Sequence, residues 1–471
     1  MIKINHIVEY LQLFFPLIFG LILLAVSISE KAVKKMALVV SLGIFALSFG
    51  ALFFFNLTYD EVFNWIIVSN QEKTFDFLLF RTRLTDLLIL STSTALLLIC
   101  VRLYNFSTKN LKLVIALLFI QFSITQFTIL SDSLILLFSC FELFGILLML
   151  MFVAVGEKEV LRPVKLFMFF WGASSALIFF SILILASVLG ESKGVFDVTV
   201  SSIPVLVEEI TYFTHKELFL GCLLGALLVR GSIFPFHSWG LQFIKTNIFP
   251  INILYSWFYP QLIFCVFYKL ITEVFRNDMA RYESLVYYLI FFSCLYHAVL
   301  IIREEKIHAK IGCFIGVCNS ILYLLLFSMK VDEIKYSILF LLSYTLLASG
   351  VLFSENQEEK SVKSFEGTRY SFSHIYLFLS TMFFPVSSFF ISIISIYSFF
   401  LDKNNALGLI SIFSFLFVLA SIVPFLYQNA FVTIQNGTDK FNIFVRLPAA
   451  VISLIMLLLG LYPHIIMELI L

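Results

Sequence analysis

The chain has 471 residues, of which 61% are hydrophobic and only 13% are charged, and its formal net charge is +1. A soluble domain of this length could not bury so much apolar surface, so the composition excludes an ordinary soluble protein. The balanced charge also lacks the basic excess of nucleic-acid-binding proteins, and no nucleic-acid partner is expected.

Fourteen apolar runs follow one another along the chain, and each is near the roughly 20 residues that a helix needs to cross the hydrocarbon of a bilayer. They lie at 8–29, 36–57, 84–104, 112–130, 134–155, 166–189, 217–239, 251–272, 284–302, 310–329, 335–354, 374–401, 406–428 and 446–468. Membrane-spanning β-strands need only about ten alternating residues, which excludes a barrel. The sequence therefore predicts an all-α polytopic membrane protein with one transmembrane helix in each run.

The loops differ in charge and length. Those that follow odd-numbered runs hold 18 of the 31 Lys and Arg residues, and the segments on the other side hold 12. The positive-inside rule therefore predicts that the odd loops face the cytoplasm or matrix and that both termini lie on the other side.

Three hydrophilic stretches, 58–83, 190–216 and 355–373, are longer than tight turns. We expect short surface helices or hairpins in the first two.

Glu142 is a carboxylate in the fifth apolar run, within Phe-Ser-Cys-Phe-Glu-Leu-Phe-Gly. A lone carboxylate in hydrocarbon is either protonated or paired with a cation. Two interpretations follow. Glu142 is either a neutral hydrogen-bond donor between helices or a proton-carrying carboxylate coupled to a cation.

Arg230 lies in the interior of the seventh run, which Pro235 then interrupts. A guanidinium in hydrocarbon costs about 2.5 kcal/mol or more, so it normally faces water or a partner charge. Because arginine does not readily release a proton, it is a poor direct relay. It is either a permanent structural partner of Glu142 or a cation that acts on Glu142 electrostatically. We predict a separation of about 8 Å or less.

The other polar residues of the apolar runs are mostly uncharged. His237 either titrates near neutrality or orients the end of the broken helix, and His297 is either a protonatable group or a hydrogen-bonded core histidine. Ser256, Gln261 and Tyr344 either support water wires or join neighbouring helices by hydrogen bonds. The seven cysteines form no C-x-x-C pair, so no metal or iron–sulfur site is expected.

Together these features resemble a known family. Glu142 within Phe-Glu-Leu, Arg230 followed by Phe-Pro-Phe-His-Ser-Trp, and fourteen spans are similar to the antiporter-like subunits of respiratory complex I (NADH:quinone oxidoreductase) and of the related multisubunit cation/proton antiporters. The resemblance is clearest from 134 to 270 and continues to the terminal Leu459-Gly-Leu-Tyr-Pro. The length and this ending favour the subunit M type (mitochondrial subunit 4), ahead of the N type (subunit 2) and the L type (subunit 5).

The resemblance implies a single transmembrane domain, 1–471, built on two inverted five-helix repeats. The repeats would cover about 112–272 and 284–428, with flanking helices at 8–104 and 446–468. The seventh and twelfth helices would be broken, and Pro235 and Pro385 lie in the corresponding runs.

The resemblance also assigns roles to residues. Glu142 matches the fifth-helix glutamate of the family, and Arg230 stands where the family has a seventh-helix lysine. The eighth-helix lysine or histidine is replaced by Gln261 or Ser256, and Tyr344 stands at an eleventh-helix charged position. The charged position of the twelfth helix falls near Ser392, with no charge nearby. The second repeat thus retains His297 as its buried titratable residue.

Three functions are compatible with these residues. The first is a proton-translocating subunit of a complex I-like enzyme that uses Glu142, Arg230, His237 and His297 as its proton pathway. The second is an antiporter-like subunit of a cation/proton antiporter or an inorganic-carbon uptake complex, which would supply proton-motive force to a partner. The third is a non-conducting scaffold paralogue.

The expected partners are other membrane subunits. No cofactor is expected in this chain, because it has no pattern that binds NADH, flavin or clusters. The redox chemistry would then belong to the partner subunits, and this chain would be a non-catalytic subunit. The resemblance predicts a bacterial cell inner membrane or a mitochondrial inner membrane.

Overall fold

A computed structural model of the chain describes residues 2–53, 63–70, 73–79, 81–105, 110–155, 161–189, 213–246, 248–274, 279–328, 334–354, 377, 379–380, 385–402 and 443–464. Nearly all of these residues are helical. In chain order the helices are α1 (Ile2–Ala25), α2 (Glu30–Phe53), α3 (Arg83–Leu103), α4 (Leu111–Leu130), α5 (Leu134–Val155), α6 (Leu161–Leu189), α7 (Phe213–Arg230), α8 (Ser238–Lys245), α9 (Ile251–Ile253), a π-helix (Leu254–Phe258), α10 (Tyr259–Val274), α11 (Met279–Arg303), α12 (Ile307–Ser328), α13 (Ile334–Ser354), α14 (Ser388–Asp402) and α15 (Ile443–Leu461).

The helical architecture confirms the predicted fold class. Among the described residues, nine helices are long and apolar enough to cross a membrane. Each predicted span except 406–428 overlaps at least one of the helices, and 406–428 lies outside the described residues. The predicted count of fourteen spans and the two inverted repeats therefore stay predictions.

One departure from an all-helical chain lies between α2 and α3. There β1 (Phe63–Asn70) pairs antiparallel with β2 (Lys73–Leu79), and the register shifts between Ile66 and Ser69. This is the hairpin alternative expected for the hydrophilic stretch 58–83. The stretch 355–373, and most of 190–216, lie outside the described residues.

The chain divides into two compact units. Unit 1 comprises Met1–Cys100, Phe106–Ser232 and Gln261–Ser284, and unit 2 comprises Val101–Asn105, Ile233–Pro260 and Leu285–Leu471. The predicted division into a single domain with two repeats stays a prediction.

In unit 1, helix α4 is the central element. Its apolar residues are spread around the helix rather than confined to one face, as expected for a helix surrounded by protein, and most of its residues are buried. It runs antiparallel to α1, because Phe14 contacts Phe127 (ring centroids 5.4 Å apart) and Phe19 contacts Phe119 (4.7 Å). Its end is held by Lys269, whose Nζ donates to the carbonyl oxygen of Ile129 at 2.8 Å.

In unit 2, α12 and α13 are largely buried. Close backbone approaches bring neighbouring segments together. A Cβ on Gly460 would lie 2.1 Å from the carbonyl oxygen of Val386, so α15 can pack there only with glycine at this position. An ion pair between Lys245 Nζ and Glu304 Oε1, at 2.6 Å, joins the end of α8 to the segment after α11.

The predicted interruption of the seventh span lies between α7 and α8. Helix α7 ends at Arg230, and Ser232 adopts the left-handed conformation (φ 57°) that commonly ends a helix. Pro235 follows and supplies no N–H with which to continue a helix. In the twelfth span, Pro385 lies three residues before α14, and 381–384 are not described.

Candidate functional site

Three helices of unit 1 bring their polar side chains to one cluster. Glu142 comes from α5, Trp171 and Ser175 come from α6, and Arg230 is the last residue of α7. Arg230 Nη2 donates to Glu142 Oε1 in a direct ion pair. The two groups therefore lie within the predicted separation of about 8 Å or less.

The carboxylate of Glu142 accepts further hydrogen bonds from α6. Trp171 Nε1 donates to Glu142 Oε2 at 2.9 Å, and the hydroxyl of Ser175 lies 2.7 Å from the same oxygen. Both carboxylate oxygens are thus used. Trp171 and Ser175 reach one point because residues four apart share a helix face.

The Ser175 hydroxyl has two alternative acceptors for its single hydrogen. Its Oγ lies 2.7 Å from Glu142 Oε2 and 2.8 Å from the carbonyl oxygen of Trp171. Ser175 Oγ also accepts a hydrogen bond from Arg230 Nη2 at 2.9 Å. Rotation of this hydroxyl therefore changes how many hydrogen bonds reach the carboxylate without breaking the contact with Arg230.

The guanidinium of Arg230 is almost completely enclosed, with 1% of its side chain exposed. Its Nε donates to Ser174 Oγ at 2.8 Å. Its Cζ lies 4.3 Å from the ring centroid of Phe141 and 4.2 Å from that of Trp171. Aromatic faces attract a cation, so these rings stabilise a charge that has little access to water.

The side chain of Glu142 is more exposed than that of its partner Arg230. A third of the Glu142 side chain (33%) is exposed on the surface of the chain. The adjacent large side chains of the same helix are also exposed, Leu143 at 44% and Ile146 at 46%. An acidic group at the surface of a transmembrane helix is costly in lipid. Something other than hydrocarbon is expected to cover it.

A glycine makes the cluster possible. Gly145 lies one turn after Glu142, and a Cβ there would be only 2.2 Å from Trp171 Cε2. Only a residue without a side chain lets the indole approach α5 closely enough to donate to the carboxylate. Phe141 and Phe167 hold the same ring, with centroids 5.4 Å and 4.9 Å from it.

Unit 2 contains a second cluster, made of rings. The centroids of His237 and His297 lie 5.5 Å apart and edge to face, and Tyr296 lies 4.2 Å from His237. The side chain of Phe234 stacks on His237 at 5.7 Å. His297 is 2% exposed, whereas Tyr296 is 37% exposed. The cluster therefore extends from the surface of unit 2 to its buried interior.

The tautomer of His297 follows from its backbone contact. Its Nδ1 lies 2.8 Å from the carbonyl oxygen of Ser293, and a carbonyl can only accept, so we assign the hydrogen to Nδ1. The lone pair is then on Nε2. Gly316 gives the ring its space, because a Cβ there would be 2.5 Å from Nε2. Ser320 Oγ donates to Ser293 Oγ at 3.0 Å, a second contact between α11, which carries His297, and α12, which carries Gly316.

The three neutral candidates form separate contacts. Within unit 2, Ser256 Oγ and Ser349 Oγ lie 2.8 Å apart, and Tyr344 donates to Asn319 Oδ1 at 2.6 Å. Within unit 1, Gln261 Nε2 donates to Ser91 Oγ at 2.5 Å. Each therefore has a neutral partner that joins helices.

Sequence reasoning missed the contribution of α6 to the cluster. Trp171, Ser174 and Ser175 lie in an apolar run where serines and aromatic residues looked ordinary. One signal was present: a tryptophan in the interior of a span carries an N–H that needs an acceptor. The residues that the structure describes contain no group of three or more His, Cys, Asp or Glu that could hold a metal ion.

Comparison with solved structures places this fold among large membrane complexes. The chain superposes on one chain of the Mrp complex from Dietzia sp. DQ12-45-1b with a TM-score of 0.81 and 13% identity, covering 98% of this chain and 96% of that one. The membrane-bound sulfane sulfur reductase, an archaeal respiratory membrane complex, gives 0.78 and 14%, covering 98% and 95%. Respiratory complex I from Thermus thermophilus with bound NADH gives 0.79 and 15%, covering 98% and 97%.

Sequence comparison adds no relative. No protein-family model matches the chain, and no curated protein matches it. The structural similarity extends over almost the whole length of both partners in each case. The chain is therefore an integral membrane protein that has the fold of subunits from multisubunit membrane complexes of the Mrp, sulfane sulfur reductase and complex I types.

Proposed function

We propose that the chain is a proton-translocating, antiporter-like membrane subunit of a complex I-like NADH:quinone oxidoreductase. The observation that carries this proposal is the ion pair of Glu142 and Arg230, which Trp171 and Ser175 hold among apolar helices. Partner subunits would perform the redox chemistry and drive a change at this pair. The expected location is a bacterial cell inner membrane or a mitochondrial inner membrane.

Glu142 is the group that would carry the proton. As a carboxylate it accepts from Arg230, Trp171 and Ser175. When a proton adds to one oxygen, Glu142 becomes neutral and the Ser175 hydroxyl can turn to the carbonyl oxygen of Trp171, 2.8 Å away. The proton leaves when Glu142 again becomes an anion, and Ser175 turns back. One proton enters and one leaves in each cycle, and the guanidinium of Arg230 stays protonated throughout.

Arg230 would set the energetic cost of each step. Because its guanidinium stays charged, protonation of Glu142 removes the anion that compensates a buried cation. The cation then depends on the Phe141 and Trp171 rings and on Ser174. A conformational change that brings a different anion or water to Arg230 would promote proton uptake, and reversal of that change would promote release. This is how partner subunits would couple to the site.

The exposed part of Glu142 indicates where a partner would act. The side chain of Glu142 is one-third exposed and lies beside the exposed side chains of Leu143 and Ile146. We propose that a neighbouring membrane subunit covers this part of α5, because lipid cannot solvate a carboxylate. A proton could then enter or leave Glu142 at the subunit boundary.

His237 and His297 would carry protons within unit 2. Since Nδ1 of His297 donates to Ser293, its Nε2 is the atom that would accept a proton. The neighbouring ring of His237 is half-buried and adjoins the exposed Tyr296, which supports entry from that side. Ser256, Gln261 and Tyr344 would assist as hydroxyl and amide groups along hydrated routes. Pro235 and Pro385 would interrupt their helices near these routes.

A second candidate function is an antiporter-like subunit of a cation/proton antiporter or an inorganic-carbon uptake complex. The superposition on a chain of an Mrp complex, with a TM-score of 0.81, supports it as well as the complex I match supports the first. Both functions use Glu142 and Arg230 in the same way. The two functions differ in the energy source that drives proton movement.

The Glu142→Gln variant tests the proton-carrying role. We expect proton movement to fall to less than about a tenth in membrane vesicles that contain the chain with its partner subunits, because the amide cannot take up and release a proton. Glu304→Gln is the matched control. It makes the same change in another ion pair, with Lys245, and proton movement should persist.

The driving force distinguishes the two functions. Proton movement that starts on addition of NADH supports the first, and movement that follows an imposed sodium gradient supports the second. Assembly is checked by the yield of the intact complex. Normal assembly with unchanged proton movement in Glu142→Gln would refute both and leave the non-conducting scaffold.

A further inference from the structure

A second buried ion pair lies in unit 1, at the start of α3. Arg81 Nε donates to Asp86 Oδ1 at 2.6 Å, and Asp86 is only 1% exposed. The pair connects to two further helices through Gln12, whose Oε1 accepts from Arg81 Nη2 at 3.2 Å. Gln12 Nε2 in turn donates to Ser48 Oγ on α2 at 2.9 Å. This charged network therefore joins α1, α2 and α3.

Two polar residues of helix α4 differ from its threonines, because their side chains make no hydrogen bond within the described residues. Ser123 and Gln126 are completely buried. Within the part of the chain that the structure describes, Ser123 Oγ and both amide atoms of Gln126 have no hydrogen-bond partner. Other hydroxyls of this helix behave differently. Thr125 and Thr128 each donate to the carbonyl oxygen four residues earlier, both at 2.8 Å.

Ser123 and Gln126 face the helix that carries Gln12. Phe119, Ser123 and Gln126 follow one another at intervals of four and three residues and so share one face of α4. Phe119 contacts Phe19 of α1.

The register of these helices sets the level of Gln12. Since α1 and α4 are antiparallel, two helical turns from the contact between Phe19 and Phe119 lead to Gln12 on one helix and Gln126 on the other. The two glutamines therefore lie at one level on facing stripes.

We propose that Gln126 and Ser123 bind ordered water that connects them to Gln12, and through Gln12 to the ion pair of Arg81 and Asp86. Buried polar groups in proteins are almost always paired, and an internal water needs two or more polar partners. The amide of Gln126 offers a donor and an acceptor, Ser123 offers one of each, and Gln12 Oε1 has a second lone pair. Water satisfies all of these groups together.

A role for this water in proton supply would require the polar path to continue along α4 towards Glu142. Further along α4, Gln121 Nε2 donates to the carbonyl oxygen of Phe144, two residues after Glu142. Gln121 lies two residues from Ser123 and therefore on a different face of α4, so a proton path from the level of Gln12 to the level of Glu142 would have to pass around this helix. A supply of protons along this path rests on the function proposed above, whereas the presence of water does not.

The water site is tested by the chemical reactivity of a thiol introduced at position 123. Ag⁺ reacts with thiolates, which form only where water reaches the sulfur. In the full chain with its partners, we expect Ser123→Cys to react at least about tenfold faster than Leu118→Cys on the same helix. Leu118 is completely buried, and the apolar space left by its substitution stays dry.

Mass spectrometry of peptides, after alkylation of the remaining thiols under denaturing conditions, separates position 123 from the seven native cysteines. Equal, slow reaction at 123 and 118 would overturn the proposal.

A second variant, Gln126→Leu, tests the site without relying on a thiol. If water pairs with the amide, leucine removes a partner, and Ser123→Cys in this background loses most of its reactivity. The unfolding temperature then does not rise. If the site is dry, leucine removes an unpaired buried amide, so the unfolding temperature rises and the proposal fails.

Proton movement in Gln126→Leu separates the two proposals. Slower movement supports the supply role. Unchanged movement, together with fast Ag⁺ reaction of Ser123→Cys in the otherwise unaltered chain, would leave the water site standing and refute its role in proton supply.

Discussion

Unit 1 holds a carboxylate and a guanidinium in direct contact, whereas the cluster of unit 2 consists of two imidazoles and a phenol. In unit 1, Arg230 is 1% exposed and cannot lose its charge, so Glu142 must balance it. In unit 2, His297 is equally enclosed but can exist as a neutral ring that donates from Nδ1 to Ser293. Both clusters therefore bury a basic group, and of these two groups Arg230 needs a counter-ion whereas His297 does not.

This difference decides where the chain is sensitive to substitution. Removing one partner of a buried ion pair leaves a bare charge in a poor solvent, which is costly. Removing one partner of a neutral hydrogen bond leaves only an unpaired dipole. We therefore expect a graded set of losses, in which the ionic cluster of unit 1 dominates.

The largest effect is expected for Arg230→Met, which keeps an apolar chain but removes the charge. The Glu142 carboxylate loses its cation, and the free energy of unfolding should fall by about 3–5 kcal/mol. Denaturation in mixed micelles measures this. Adding Glu142→Leu in the same chain should recover most of the loss, since an apolar pair of similar volume replaces the ion pair. A double variant no more stable than Arg230→Met would contradict the assignment.

A smaller effect is expected for Trp171→Phe. The substitution keeps an aromatic ring beside Arg230 and removes the N–H that donates to Glu142 at 2.9 Å. A hydrogen bond to a charged group contributes about 2 kcal/mol, which sets the expected loss of stability. Phe167→Leu serves as a control for ring packing without that bond. Equal losses in the two variants would show that the indole N–H contributes nothing.

The smallest effect is expected in unit 2 for Ser349→Ala. This variant removes the hydroxyl that lies 2.8 Å from Ser256 Oγ. Ser256 retains its own contact with the carbonyl oxygen of Ile253 at 3.3 Å, so the loss should be about 1 kcal/mol or less. The same denaturation assay applies. A loss as large as that of Arg230→Met would remove the contrast between the two units.

The fold was largely predictable because hydrocarbon imposes a simple rule on length. A run such as 134–155 has to be a helix long enough to cross the bilayer, and α5 has those bounds. The β-hairpin at 63–79 was one of two alternatives, the other being a short surface helix. Hydrocarbon does not constrain the length or the backbone hydrogen bonding of a solvated stretch. The pairing of Glu142 with Arg230 was predictable for the same physical reason, since each charge needs the other.

The rest of the site depends on how helices are rotated, which periodicity in an apolar sequence does not specify. Trp171 and Ser175 are typical residues of an apolar helix, and nothing in the spacing of α6 says that they face Glu142. The pairing of Arg81 with Asp86 was missed because the arginine lies between two predicted spans. His237 and His297 are 60 positions apart, and their contact depends on the break after α7.

Two glycines that carry no functional group limit how the sequence can vary. An added methyl group would collide with the indole of Trp171 at position 145 and with the imidazole of His297 at position 316. Relatives that keep these rings in place should therefore accept no side chain at either position. We therefore expect glycine to persist at positions 145 and 316 in relatives that keep the two clusters.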